Sequence, residues 1–238
     1  MPDLSQRSSE IEIMDDLNCS GEVVHQTLRE LENINYLLGG NHVTLDGVAR
    51  LLRDRGVAGQ PWQITDLGCG GGDMLKLIRG WANKKNIGLR LTGIDANPHI
   101  VSFAQTNTPL SCKIQYETVD IFSEKFRSRK MDIALGTLFF HHFTREQLIA
   151  FFAQLKMQTT IGFVVNDIHR HWFAYYSIRW LTSLFSKSAM VKYDAPLSVR
   201  RAFRKKELID ILEAAGIRDY SIRWMWAFRW QVIVFNNT

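Results

Sequence analysis

Three short runs of the chain hold side chains that could do chemistry. The first, Asp66-Leu67-Gly68-Cys69-Gly70-Gly71-Gly72-Asp73, sets glycines between carboxylates. The second, Gly136-Thr137-Leu138-Phe139-Phe140-His141-His142-Phe143, carries tandem histidines, and the third is Asn166-Asp167-Ile168-His169-Arg170-His171. Clustered glycines let the main chain turn tightly and let a ligand lie against bare backbone. An unperturbed imidazole titrates near neutrality, which suits it to take a proton from a substrate. His142 and His169 are the two candidate bases, with Asp167 placed to orient the second or simply to finish a strand. Adjacent histidines are expected to diverge and no acid stands at ligand spacing, so no metal is assigned.

The acids narrow the ligand. The dinucleotide fingerprint G-x-G-x-x-G would require glycine at position 73, where Asp73 stands. A carboxylate in the first turn of a helix repels a pyrophosphate that needs that helix end. A cationic sulfonium has no such conflict with Asp66 or Asp73, so the pattern leans from NAD toward S-adenosylmethionine. Asp95, after Leu91-Thr92-Gly93-Ile94, can accept both hydroxyls of a ribose. Asp120, after Tyr116-Glu117-Thr118-Val119, can accept an exocyclic amine.

These residues fall at the ends of alternating elements. Glu22 to Leu38 has helical spacing and stops at Gly39-Gly40. A second helix is expected from about Thr44 to Arg55, ending at Gly56. Strands are expected at Gln63–Asp66, Leu89–Asp95, Ile114–Val119, Met131–Thr137 and Thr160–Asp167. Helices are expected between them at about 72–83, after Pro98 and at 145–157. His171 to Phe185 reads as an aromatic helical insertion and Lys187 to Val199 as a loop. A helix from Lys205 to Ala215 follows, then an antiparallel hairpin of Tyr220–Trp226 and Trp230–Phe235. The fold class is α/β: a Rossmann-like, doubly wound seven-stranded sheet of five parallel strands plus the C-terminal hairpin. Residues 1–58 are expected to form an N-terminal helical cap, beginning with a loose or helical leader over residues 1–20. Residues 59–238 form the cofactor-binding domain, with a lid insertion at about 170–200.

Together, Asp66–Gly72, Asp95, Asp120 and the Ala134–Phe143 run resemble the ordered motifs of class I S-adenosylmethionine-dependent methyltransferases. The closest flavour is the small-molecule branch of quinone and polyketide methylases. The resemblance implies that Asp66, Gly68 and Gly70 hold the methionine part of the cofactor. It further implies that Asp95 and Ala96 hold the ribose, and Asp120 and Ile121 the adenine. It puts the transferred methyl near Gly136 and the fourth strand's end, and Asn33–Gly40 resembles a segment that caps the cofactor.

The acceptor this implies is a small, hydrophobic aromatic such as a phenol, polyketide or quinol. O-methylation is favoured because the histidines supply a base, with C-methylation open beside it. The helix at His171–Trp180 can be core, a lid over a flat substrate, or an amphipathic helix on a membrane surface. A nicotinamide oxidoreductase and a non-catalytic cofactor-binding partner protein remain as alternatives. Nucleic acid is disfavoured: the fourth strand's end lacks an Asn/Asp-Pro-Pro-aromatic motif, and no cysteine lies at the fourth or fifth strand end.

Composition sets few bounds: 46% apolar and 22% charged residues with a formal charge of +5 suit a globular domain. The basic cluster Arg200–Lys206 reads as a solvated loop and helix start. Cys19, Cys69 and Cys112 are odd in number and widely spaced, which suits a reducing cytoplasm. Met1–Asp16 is too polar for a secretory signal, and Arg179 interrupts the longest apolar stretch.

Overall fold

A computed structural model describes residues 2–53 and 60–236. Its strands are β1 (Trp62–Leu67), β2 (Leu89–Asp95), β3 (Ile114–Thr118), β4 (Met131–Thr137), β5 (Thr159–Ile168), β6 (Tyr220–Met225) and β7 (Arg229–Phe235). They form one sheet in the order β3-β2-β1-β4-β5-β7-β6. The first five pair in parallel, and β7 runs antiparallel to both β5 and β6. The order reverses between β1 and β4, so the carboxyl ends of these strands open a crevice there.

The helices are α1 (Glu22–Leu37), α2 (Gly40–Leu51), α3 (Asp73–Lys85), α4 (Pro98–Thr106), α5 (Glu124–Arg127), α6 (Arg145–Gln158), α7 (Trp172–Phe185), α8 (Ala189–Arg201) and α9 (Lys205–Ala214). Two cores form, one on each sheet face. Phe151, Phe152 and Leu155 of α6 join Leu208 and Ile211 of α9 over Phe163 and Val165. Val48 and Leu51 of α2, Leu75 and Ile78 of α3, and Val101 of α4 cover Ile64, Leu91 and Ile133. Burying each such side chain stabilises the fold by about 1.5–3 kcal/mol. Because both faces are covered, the central strands read as near-continuous apolar runs.

Local chemistry sets the ends nearest the crevice. Asn97 caps α4 by accepting from the His99 and Ile100 N–H groups, with Pro98 already holding a helical φ. Thr144 and Gln147 form a capping box on α6. The buried Asn166 amide donates to the Gly40 carbonyl and to Thr44 Oγ1, and Thr44 in turn meets Thr137 Oγ1 at 2.7 Å. These bonds fix α2 against the ends of β4 and β5.

Three expectations are corrected. The segment read as a loop at Lys187–Val199 is α8, capped by Ser188, with Met190, Val191, Asp194, Leu197 and Arg201 buried at helical spacing. Its polar inward positions and interior Pro196 hid that period from a search for apolar residues. Within the Arg200–Lys206 cluster, Arg201 is buried, because it pairs with Asp15 from the N-terminal segment. That segment is irregular apart from one short 3-10 turn at Ile13–Asp15, and it packs across the chain. The second helix begins at Gly40, four residues earlier than expected; its expected end at Arg55–Gly56 and the boundary at 58/59 lie outside the described residues. Among the described residues, no helix is long and apolar enough to cross a membrane.

Candidate active site

The crevice is a cavity of about 660 Å³, within the range that holds a cofactor or small ligand. The strand ends form its floor. The N-terminal segment, α1 and α8 close it from above, through Glu12, Met14 and Asp15, then Leu28, Leu31 and Asn35, then Asp194, Ser198 and Arg201.

The β1 end supplies the first wall. Gly68 has φ +64°, and a Cβ there would sit 2.2 Å from the Phe139 ring, so only glycine fits. Gly70, at φ +51°, turns its bare backbone to the cavity and donates its N–H to Asp95 Oδ2 at 3.4 Å. Asp95 Oδ1 accepts the Asn97 N–H at 3.0 Å. Burial raises the Asp95 pKa, and its backbone hydrogen bonds oppose the shift. Asp66 is buried beside Asp73 and Asp95; burial and then their repulsion lift its pKa well above the carboxylate range. Asp73 is pushed up to about 6, chiefly by burial, although Lys76 Nζ lies 3.0 Å from it. Three carboxyl groups therefore crowd one end of the cavity, where a cation would relieve them. Asp120 and Ile121 line the next wall; Asp120 Oδ1 accepts the Phe122 N–H at 2.8 Å.

The same cavity wall carries imidazoles. His141 and His142 sit in a 3-10 turn after β4, with ring centroids 4.2 Å apart. Their rings face each other instead of diverging, because the tight turn keeps both inside the chain's own fold. His142 Nδ1 lies 2.6 Å from Asp15 Oδ1, and Arg201 donates to Asp15 Oδ2 at 2.6 Å and to the His142 carbonyl at 2.7 Å. Burial works against the Asp15 charge, but His142 and Arg201 outweigh it and hold its pKa far below the usual value. His141 is buried, with Nδ1 2.7 Å from Asp167 Oδ1 and Nε2 3.5 Å from Glu12 Oε1. Burial opposes its charge, yet the two carboxylates prevail and lift its pKa to about 9. Arg7 donates to the His141 and Phe143 carbonyls at 2.8 and 2.9 Å, locking the turn.

Glu12, His141 and His142 bring potential ligand atoms within 4.8 Å of one another. No sequence spacing suggested this, since Glu12 arrives from a segment 129 positions upstream of His141. Arg201 Nη1, 3.7 Å from Glu12 Oε1, already brings positive charge to the cluster, as does the imidazolium of His141.

The structure gathers Asp66, Gly68, Gly70, Asp95, Ala96, Asp120, Ile121 and His142 around one cavity. It leaves out two candidates. Gly136 is not in the wall; it lies beneath Phe140, whose ring a Cβ would meet at 2.6 Å. His169 is turned away to stack near Trp230 and His171, because alternate β5 residues face opposite sides and Ile168 takes the cavity side. Within the insertion expected at about 170–200, no residue of His171–Trp180 lines the cavity, whereas Val191, Asp194, Ala195 and Ser198 of α8 do. Sequence reasoning missed His141, Glu12, Asp15, Asp194 and Arg201. A buried acid cluster in the leader was the only signal for them, and it had no local period.

Comparison with known proteins follows this geometry. The family model described as "Methyltransferase domain" matches residues 64–185, just over half the chain. No curated protein matches the sequence. Among solved structures, human N-acetylserotonin methyltransferase in complex with SAM is 16% identical with a TM-score of 0.67. That match covers 97% of this chain, which spans 60% of the human one. The plantazolicin methyltransferase BpumL in complex with SAH is 17% identical over 90% of this chain and 99% of its own, with a TM-score of 0.63. Magnesium protoporphyrin IX methyltransferase from Synechocystis PCC 6803 matches at 17% identity over 82% and 83%, with a TM-score of 0.52. At these identities the structural likeness is one of fold. The family match spans the glycine turn, the acidic strand ends and the histidine turn, and on it the chain belongs to the methyltransferase-domain family.

Proposed function

We propose that the chain is an S-adenosylmethionine-dependent methyltransferase whose acceptor is a small, hydrophobic aromatic such as a phenol, polyketide or quinol, methylated on oxygen. The observation that carries this reading is one cavity whose wall brings the crowded carboxyls of Asp66, Asp73 and Asp95 together with the Asp15-paired imidazole of His142. The neighbours in fold are methyltransferases solved with SAM or SAH, which supports the cofactor. The names of two of them, N-acetylserotonin and magnesium protoporphyrin IX methyltransferase, support a small-molecule acceptor.

The residues present fit the cofactor. Asp73, with a pKa of about 6, and Asp66, whose crowded carboxyl would ionise beside a bound cation, fit an ammonium and a sulfonium, and Asp95 offers a buried carboxyl to ribose hydroxyls. Asp120 and Ile121 offer an acceptor and an apolar surface to the adenine. When bound, S-adenosylmethionine supplies an electrophilic methyl group on a sulfonium.

The chain itself must orient the acceptor, exclude water and take one proton. With a pKa of about 9, His141 is already protonated at neutral pH and cannot serve as base. His142, half-buried in the cavity wall and held through Nδ1 by Asp15, would take the hydroxyl proton on Nε2. Phe122, Phe139 and Phe143 pack edge to face beside it and give an apolar surface to an aromatic ring. His169 is withdrawn from this role because it lies outside the cavity.

The test is methyl transfer from S-adenosylmethionine to a panel of alkylated phenols and quinols, read by product mass and regiochemistry. An O-methyl product from the native chain and its loss in His142→Gln supports the reading. A C-methyl product moves the site to carbon. Tight cofactor binding with no turnover on any acceptor points to the non-catalytic partner protein, and selective NADH binding overturns the cofactor assignment.

A further inference from the structure

Helix α7 is built inside out. Only Ala174 and Thr182 are buried on it, with Ile178 and Leu181 half-buried beside them. Its outward face carries Trp172, Phe173, Tyr176, Trp180 and Leu184, between 40% and 62% exposed. Trp172, Tyr176, Trp180 and Leu184 recur every four residues and so form one stripe. A surface helix normally shows the reverse arrangement.

The stripe continues onto a second element. Phe228, in the β6–β7 turn, lies 5.8 Å from Phe173 and 6.0 Å from Trp224. Trp224, near the end of β6, and Trp226 in the turn are 47% and 70% exposed. Two segments about fifty residues apart in the chain thus present one aromatic surface.

Its charge has one sign. No Asp or Glu occurs between Asp167 and Asp194, nor anywhere after Asp219. Arg179 stands exposed within the stripe, and Lys187 and Lys192 are exposed just beyond it. Glu30 meets the far end of the stretch, where its carboxylate is engaged by Ser186, Lys187 and Ser188.

We propose that this face docks the protein on an anionic lipid bilayer, with α7 lying in the headgroup plane. Tryptophan and tyrosine rings favour that boundary, where one edge is apolar and the other wet, and cations beside them meet anionic headgroups. A second copy is the poorer occupant. An isologous contact would set Arg179 and Lys187 against their own kind with no carboxylate to answer them. The proposal goes beyond the methyl-transfer reading and stands whatever the acceptor.

The test is flotation of the full chain with vesicles of phosphatidylcholine alone or mixed with phosphatidylglycerol, with tryptophan emission as a second readout. The expected result is binding to the anionic vesicles, a blue shift in emission, and weakening with added salt. Trp172→Ser with Trp180→Ser should abolish it, and Arg179→Glu should weaken it roughly tenfold or more. All three positions are exposed, and an unchanged melting midpoint with retained cofactor binding shows that each variant is folded. Absence of binding to anionic vesicles at low salt overturns the proposal, as does binding that none of these variants alters. A concentration-dependent dimer that the tryptophan variant dissolves also overturns it, in favour of self-association.

Discussion

Asp95 joins the two halves of the cofactor wall, since its carboxylate accepts from Gly70 in the glycine turn and from Asn97 at the α4 cap. Replacing it by alanine removes a charged acceptor, an interaction of about 1.5–3 kcal/mol, so cofactor affinity should fall roughly 10- to 100-fold by calorimetry. An affinity unchanged in Asp95→Ala would detach Asp95 from the ligand. The histidines divide by place, since His142 lines the cavity half-buried and His141 is fully buried behind it. His142→Gln should lower kcat by about 10²–10³-fold while the cofactor KM stays close to native, as loss of a general base predicts. His141 acts differently, as an imidazolium fixed between Asp167 and Glu12. Its folded pKa of about 9 stands above the ordinary 6.5. The stability it contributes is therefore fully present below about pH 6.5 and lost as pH rises through about 9. Melting midpoints followed from pH 6.5 to 10 should fall more steeply for the native chain than for His141→Gln; parallel curves would sink this assignment.

Elements differ in how far their own residues declare them. β2 and β4 match their expected limits because each is a short apolar-rich run that ends in a polar residue, even with Gly93 and Gly136 inside them, and α4 is declared by Asn97-Pro98 alone. α8 and the N-terminal segment are silent in sequence because each is defined by the other. The α8 residue Asp194 accepts the Ile13 and Met14 N–H groups at 2.8 and 3.1 Å, and Ser198 donates to Glu12 at 2.9 Å. The contacts join positions about 180 residues apart, so no window of sequence contains them. His169 failed as a candidate for a related reason, since one step along a strand moves a side chain to the other face. Asp194→Ala should free the Ile13–Asp15 turn, with which Asp15 and Glu12 reach the histidines. The expected outcome is faster limited proteolysis within residues 2–20 and an acceptor KM raised roughly tenfold, about the value of one lost charged hydrogen bond. Proteolysis at the native rate would show that Arg201 and Arg7 hold the segment without it.

At the scale of the whole molecule, the parallel sheet, its reversal between β1 and β4 and the glycine turn at that reversal agree on one ligand crevice. That much was legible because each part is local: a glycine run after a strand, acids at strand ends, alternation of strand and helix. A cap and a lid were expected; what was not legible is which side chains of residues 2–20 and α8 close the crevice and make it a cavity. A cavity closed by contacts across the chain predicts strong coupling between ligand and fold, because a ligand bound there is available only to the native state. Cofactor at 100 times its Kd should stabilise the chain by about 2.7 kcal/mol. For a chain of this size, each kcal/mol moves the melting midpoint by about 2–4 °C. S-adenosylmethionine should therefore raise the midpoint by roughly 5–10 °C, and NADH at the same concentration should leave it unmoved. The crowded Asp66, Asp73 and Asp95 give the reason for the contrast, since a bound cation favours their ionised forms and relieves the crowding, whereas a pyrophosphate would add to it. Equal shifts from both ligands would mean that the carboxyls do not select by charge, and the assignment of this end of the cavity would have to be abandoned.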